Sequence, residues 1–111
     1  MEQNFSSPDK ECQKHKQIFV HFSFLSSLTI AHTDTGDFLV TENGLEKQFL
    51  IKGTIIKARA GLFFITIEDK KFTTHKNRSF EVGEEVACLI EPIFKNSQVK
   101  DFIIVGLEKI E

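Results

Sequence analysis

Three strands are predicted between residues 49 and 76, where the sequence runs FLIKGTIIKARAGLFFITIEDKKFTTHK. Along Phe49–Ala58, large apolar side chains alternate with Lys52 and Thr54. This period of two is typical of a strand with one buried face. Ala60-Gly61 interrupts the pattern, and a second strand is expected over Leu62–Glu68.

The same alternation assigns the side chains of these strands to two faces. A turn at Glu68-Asp69-Lys70 leads into the third strand, Lys71–Lys76. The residues expected on the buried face are Phe49, Ile51, Gly53, Ile55, Phe63, Ile65 and Ile67. Those expected on the opposite face are Phe64, Thr66, Lys71, Thr73 and His75. Glycine in mid-strand, at Gly53, is where a barrel strand can bend.

Two more strands are predicted further along the chain, over Glu85–Glu91 and Asp101–Leu107, with a polar loop at Lys95–Lys100 between them. The connection Asn77–Gly83 is too short for a substantial helix. The five strands from residue 47 to residue 111 therefore predict an all-β fold, a small five-stranded barrel of the OB type.

Residues 17–46 are expected to form an N-terminal β-hairpin extension of this barrel. Alternation over Ile18–Leu25 predicts a strand, with a helix as the alternative. Ser27–His32 and Phe38–Thr41 flank a turn-rich stretch and predict a hairpin, and Asn43-Gly44 supplies a second turn. Residues 1–16 are polar, contain Pro8 and show no apolar period, so we expect a flexible tail.

Composition and charge limit the classes of function. The 111 residues suit a single domain, and 41% hydrophobic and 27% charged residues are ordinary for a globular protein. The formal net charge of -2 conceals a segregation along the chain. Residues 17–46 hold four acids and no Lys or Arg, whereas residues 50–80 hold seven bases and two acids. A local basic surface that attracts polyanions is therefore possible, and an ordinary mixed surface is the alternative.

The cysteines and the apolar segments bear on the compartment. Cys12 and Cys88 lie far apart and do not suggest a disulfide framework, so we expect a reducing compartment, the cytoplasm. Lys14 and Lys16 before the apolar stretch Ile18–Ala31 resemble the layout of a signal peptide. His21 and three serines interrupt that stretch, and it is shorter than the roughly 20 residues of a membrane span, so no membrane partner is expected.

The motifs of the five strands resemble those of bacterial translation initiation factor one and its relatives, which are OB-fold proteins. The matching segments are Lys52-Gly53-Thr54-Ile55, Phe64-Ile65-Thr66-Ile67-Glu68, Gly83-Glu84-Glu85-Val86 and Pro92. The family is strongly basic where this chain has Glu81, Glu84, Glu85 and Glu91, and it has no equivalent of residues 1–46. Either departure would imply a different partner from that of the family, or none.

The resemblance implies a nucleic-acid site on the second and third strands and the loop before them. In that site Phe64 would stack on a base, Thr66 and Thr73 would form hydrogen bonds, and Lys71 and His75 would contact phosphates. Lys57 and Arg59 would flank the first loop. The alternative is that Phe64 packs under the N-terminal hairpin and that the lysines only keep the surface soluble.

A second resemblance is to a biotin carrier domain. The segments that carry it are Ala60–Phe64, Val82–Val86 and Cys88–Phe94. Phe94 stands where the biotin-accepting lysine would fall, so the resemblance implies a non-biotinylated relative that binds protein.

Catalytic and metal motifs are not recognisable in the sequence. Cys12 and His15 have a spacing that could suit a metal, but a structural zinc site needs four ligands and no second pair follows. His21, His32 and His75 are scattered singly over the predicted strands. We therefore expect no enzyme activity, no cofactor and no metal.

Two classes of function stay open at this point. The first is a non-enzymatic barrel that binds single-stranded nucleic acid or structured RNA. The second is a protein-interaction module, or a subunit of a larger assembly, that uses the N-terminal hairpin. The position of Phe64, Lys71 and His75 distinguishes the two, since these residues either share an exposed face or lie under residues 18–42.

Overall fold

A computed structural model of the chain describes residues 17–76 and 78–111. The predicted tail, residues 1–16, and the Cys12 and His15 pair within it lie outside this range. Strands dominate the described residues, which confirms the predicted all-β class. The elements are, in chain order, helix α1 (Phe22–Ser26) and strands β1 (Thr29–Thr33), β2 (Gly36–Thr41), β3 (Gly44–Glu46), β4 (Phe49–Arg59), β5 (Leu62–Ile67), β6 (Lys70–His75), β7 (Glu85–Lys95) and β8 (Gln98–Lys109).

Five of the strands form one antiparallel sheet in the order β6-β5-β4-β7-β8. The central strand β4 pairs with β7 along its first half and with β5 along its second half. The sheet curls into a half-barrel, so that its two edge strands approach each other. The rings of Phe72 on β6 and Phe102 on β8 stack there, with centroids 4.7 Å apart. Lys70 Nζ lies 3.4 Å from Asp101 Oδ1 beside them.

The core fills the concave side of this half-barrel. Alternation in β5 buries Phe63, Ile65 and Ile67, as predicted, while Leu62, Phe64 and Thr66 point away from the core. Burial of these side chains is the main stabilising term of the sheet. The remaining buried members of the cluster are Leu25, Leu39, Phe49, Ile51, Ile55, Phe80, Val86, Cys88, Ile90, Phe102 and Leu107.

Strand β4 carries one of the register irregularities of the sheet, and the pairing of β7 with β8 contains two more. The register between β4 and β5 shifts between Ile55 and Lys57, as in a β-bulge. The predicted bend was placed at Gly53, two residues earlier in the chain. A Cβ atom at Gly53 would lie only 2.8 Å from Ile65 Cγ2 and 2.9 Å from Cys88 Sγ, so this glycine is required for close packing.

The strand predicted over Ile18–Leu25 is wrong. Phe19 forms one isolated bridge to Leu50 of β4, and the chain then enters α1. The helix is the better solution because residues three apart share a helix face. Leu25 enters the core, while the ring of Phe22 packs 5.0 Å from that of Phe102.

The hairpin predicted after this segment is confirmed. Strands β1 and β2 pair antiparallel around the turn that ends at Gly36, and β3 joins them through the turn at Glu42-Asn43. The result is a separate three-stranded sheet in the order β1-β2-β3. No helix of the described part has the length and apolar character needed to cross a bilayer.

The last two strands are longer than predicted. The segment Lys95–Lys100 was expected to be a polar loop, but Asn96 and Ser97 alone form the turn, with φ of 54° and 63°. Positive φ at two consecutive residues is the geometry of a tight hairpin turn. The polar residues beside it lie on exposed strand positions, which is why polarity there wrongly indicated a loop.

Candidate functional site

The seven candidate residues lie on the face of β4, β5 and β6 that is opposite to the core, here called the outer face. Residues directly opposite on paired strands point to the same side of a sheet. The register therefore gives three rows across the strands, namely Arg59, Leu62 and His75, then Lys57, Phe64 and Thr73, and then Thr54, Thr66 and Lys71. Every candidate that the sequence indicated falls within these rows.

Phe64 occupies the centre of the outer face. Its ring is half-buried, and Lys57 Nζ lies 5.5 Å from the ring centroid. A cation at this distance is attracted to the face of the ring. On the other side of Phe64 stands Thr73, which is exposed and whose hydroxyl can donate and accept hydrogen bonds.

One end of the outer face is rich in basic side chains. Arg59 closes β4 and His75 closes β6, and both are exposed. Between the strands, the turn residues Ala60 and Gly61 adopt positive φ of 55° and 77°. The Lys76 backbone N–H donates to the Gly61 carbonyl at 2.8 Å, but Lys76 Nζ lies 5.8 Å from the ring centroid of the core residue Phe63, on the other side of the sheet.

In the part of the chain that the structure describes, Lys57, Arg59 and Lys71 form no ion pair with an acid. The ion pairs within residues 17–76 and 78–111 join His21 to Glu68, His32 to Asp37 and Lys70 to Asp101. Lys57, Arg59 and Lys71 take part in none of them, and all three are exposed. Two acids border the rows, namely Glu85, opposite Thr54 on β7, and Glu68, two residues after Thr66. The face is therefore locally positive although the chain is mildly acidic.

The extension does not cover the candidate residues. Its described hydrogen bonds and ring contacts involve none of the candidate residues; they reach Leu50, Lys52, Glu68, Lys70, Phe102, Lys109 and Glu111. Lys71, Thr73 and His75 are exposed, so Phe64, Lys71 and His75 share a face with open access. The alternative in which residues 18–42 lie over these three side chains does not describe the structure.

Further residues that were not predicted as site residues extend the outer face. Alternation places Thr54 opposite the core and, continued to Leu62, does the same there, and these two residues complete two of the rows. Phe19 lies beside β4, through its bridge to Leu50, and Lys52 Nζ is 5.2 Å from its ring centroid. No local pattern reveals Phe19, because the bridge joins segments far apart in the chain.

The Cys88 thiol is buried in the core. Burial raises the pKa of the Cys88 thiol to about 12, so it is neutral at ordinary pH and a poor nucleophile. Phe94, the residue at the carrier-lysine position, is half-buried and packs against the core. In the ranges the structure describes, no three His, Cys, Asp or Glu side chains are grouped to hold a metal ion.

No protein-family model, curated protein or solved structure matches the chain. A proposal for its function therefore rests on the geometry of the outer face.

Proposed function

We propose that the outer face binds single-stranded nucleic acid, without catalysis. The observation that carries this proposal is the position of Phe64, a partly exposed ring with Lys57 against it and with the exposed bases Arg59 and Lys71 in the neighbouring rows. An aromatic ring among clustered cations is the combination that single-strand binding proteins use.

The chemistry divides between the ring and the charges. Stacking of one base on an aromatic side chain contributes about 1 to 3 kcal/mol and tolerates any base. Lys57, Arg59 and Lys71 would neutralise phosphates and release condensed counterions. Thr66 and Thr73 supply hydroxyl groups for hydrogen bonds to bases or sugars. His75 would add a contact to phosphate at the basic end.

The strand arrangement also supports the proposal. A first long strand, β4, lies between the second and fourth strands of the half-barrel, while the third and fifth form its edges. In partly open five-stranded barrels of the OB type, nucleic acid lies across the second and third strands. Those strands are β5 and β6 here, and they carry Phe64, Thr73 and Lys71. We place this function in the cytoplasm, as two distant cysteines favour.

Salt dependence and variants test the proposal. Binding of labelled oligo(U) and oligo(dT) is measured by fluorescence anisotropy at increasing salt. The binding should be weak, and the affinity should fall steeply as the salt concentration rises, because only the local positive charge of one face attracts phosphates to an acidic chain. Lys71→Ala and Arg59→Ala should each reduce the salt slope by about 1. Phe64→Ala should weaken binding at every salt concentration without changing the slope. Phe64→Leu, which keeps an apolar side chain, should show the same defect.

A matched control distinguishes the loss of a charge on the outer face from a change in net charge. Lys95→Ala removes the same charge from the end of β7, away from the outer face, and should leave the slope unchanged. Absence of binding at low ionic strength would rule out the proposed function. Equal effects of Lys95→Ala and Lys71→Ala would rule out the assigned face.

A further inference from the structure

A groove of about 510 Å³ separates the N-terminal extension from the half-barrel. Its apolar lining comes from four parts of the chain, namely Ile18 and Phe24 near the start, Val40 of β2, Phe49 and Leu50 of β4, and Leu89 of β7. This volume is within the range of roughly 300 to 1,000 Å³ that binding sites in proteins show.

The groove exposes an unusual amount of apolar surface. Ile18 is 69% exposed, Phe24 45% and Val40 40%. Single exposed apolar residues are common, but several around one concave site indicate a surface that another molecule covers.

The polar part of the groove is acidic. Glu42 and Glu46 line it, together with Gln48, whose side-chain amide donates to Glu91 at 2.8 Å. No Lys, Arg or His of the described ranges lines the groove. Lys47, the nearest base along the chain, lies instead over the Phe38 ring at 5.4 Å. Within residues 17–76 and 78–111, no cation forms an ion pair with Glu42 or Glu46.

We propose that this groove binds a segment of a partner protein in which apolar side chains are flanked by lysine or arginine. The apolar side chains would fill the space between Phe24, Val40 and Leu50, and the basic ones would pair with Glu42 and Glu46. Because the acidic groups would repel phosphates, the groove and the outer face select ligands of opposite charge. The inference is independent of the proposed nucleic-acid function.

Selection from a random library tests this inference. A phage-displayed library of dodecapeptides is selected against the full chain, and peptides that combine apolar residues with Lys or Arg should be enriched. One enriched peptide is synthesised with a fluorescent label, and its binding is measured by anisotropy. Val40→Ser should lower its affinity about tenfold by removing apolar contact. Ile103→Ser, a change at a similarly exposed position of β8, should not.

Charge reversal tests the acidic part of the groove. Glu42→Lys should weaken binding of the enriched peptide. It should strengthen binding of a version of the peptide in which Glu replaces the basic residues. Glu42 is an exposed turn residue, so this variant keeps the core intact. Thermal melts check that each variant is folded.

Several results would overturn the inference. Enrichment of acidic or uncharged peptides would do so, as would equal binding by Val40→Ser and the parent chain. A concentration-dependent dimer in light scattering that Val40→Ser abolishes would show that a second copy fills the groove. Competition by a synthetic peptide of residues 1 to 16 would show that the chain fills its own groove.

Discussion

At the residue scale, Gly53 has the least room of any described glycine in the sheet. A Cβ atom there would meet Ile65 Cγ2 at 2.8 Å, Cys88 Sγ at 2.9 Å and Ile67 Cγ1 at 3.0 Å. All three partners are fully buried, so they cannot move aside into solvent. The close contact between β4, β5 and β7 at this point therefore depends on the absence of a side chain.

Gly53→Ala is expected to destabilise the fold by about 1 to 3 kcal/mol, the usual cost of an overpacked core. Urea denaturation followed by circular dichroism measures the change. Gly106→Ala is the matched control, because a Cβ at Gly106 would meet only Leu89 atoms, at 3.8 Å or more. If both variants unfold at the same urea concentration, the packing explanation for Gly53 is wrong.

Some residues of the outer face could be placed there from the sequence alone. Alternation placed Phe64, Thr66 and Thr73 on the side opposite to the core, because a strand has only two faces. It could not show that Lys57 lies against the Phe64 ring, since that contact depends on the bulge between Ile55 and Lys57. The extra residue that a β-bulge inserts into a strand has no clear signature in a single sequence.

At the element scale, helix α1 depends on the half-barrel for its cap. Glu68, in the turn between β5 and β6, accepts the Phe22 backbone N–H at 3.0 Å and contacts His21 Nδ1 at 3.2 Å. A helix of five residues is too short to be stable alone. Its formation thus follows from tertiary contacts, which explains why alternation over Ile18–Leu25 wrongly indicated a strand.

Glu68→Ala should loosen α1, because the Phe22 N–H loses its acceptor. A lost cap of this type costs about 1 kcal/mol, and amide hydrogen exchange at Phe22 should accelerate. Glu68→Gln is the control, since its amide oxygen still accepts the bond while the charge is removed. Unchanged exchange in Glu68→Ala would mean that this carboxylate does not hold the helix.

The β7–β8 hairpin illustrates a second limit of element prediction. Pro92 lies in β7 beyond Ile90, the last residue of β7 that pairs with β4. A proline is tolerated in a strand where one side has no partner. The predicted strand ended at Glu91, and the polar residues near Asn96 suggested a loop, whereas the paired strands continue to that turn.

In the whole molecule, the basic and acidic segments of the sequence contribute to two different surfaces. The bases of residues 50–80 supply Lys57, Arg59 and Lys71 to the outer face. The acids of residues 17–46 supply Glu42 and Glu46 to the groove. A nucleic acid on one surface and a basic protein segment on the other would not compete for the same residues.

NMR can map where nucleic acid contacts the chain. Amide correlation spectra of the isotope-labelled chain are recorded at low ionic strength as oligo(U) is added. The largest shifts should fall on Lys57, Phe64, Lys71 and Thr73, while the amides of Val40 and Glu42 stay in place. Spectra that do not change, or changes centred on the groove or the β7–β8 hairpin, would contradict the assignment of the outer face as the binding site.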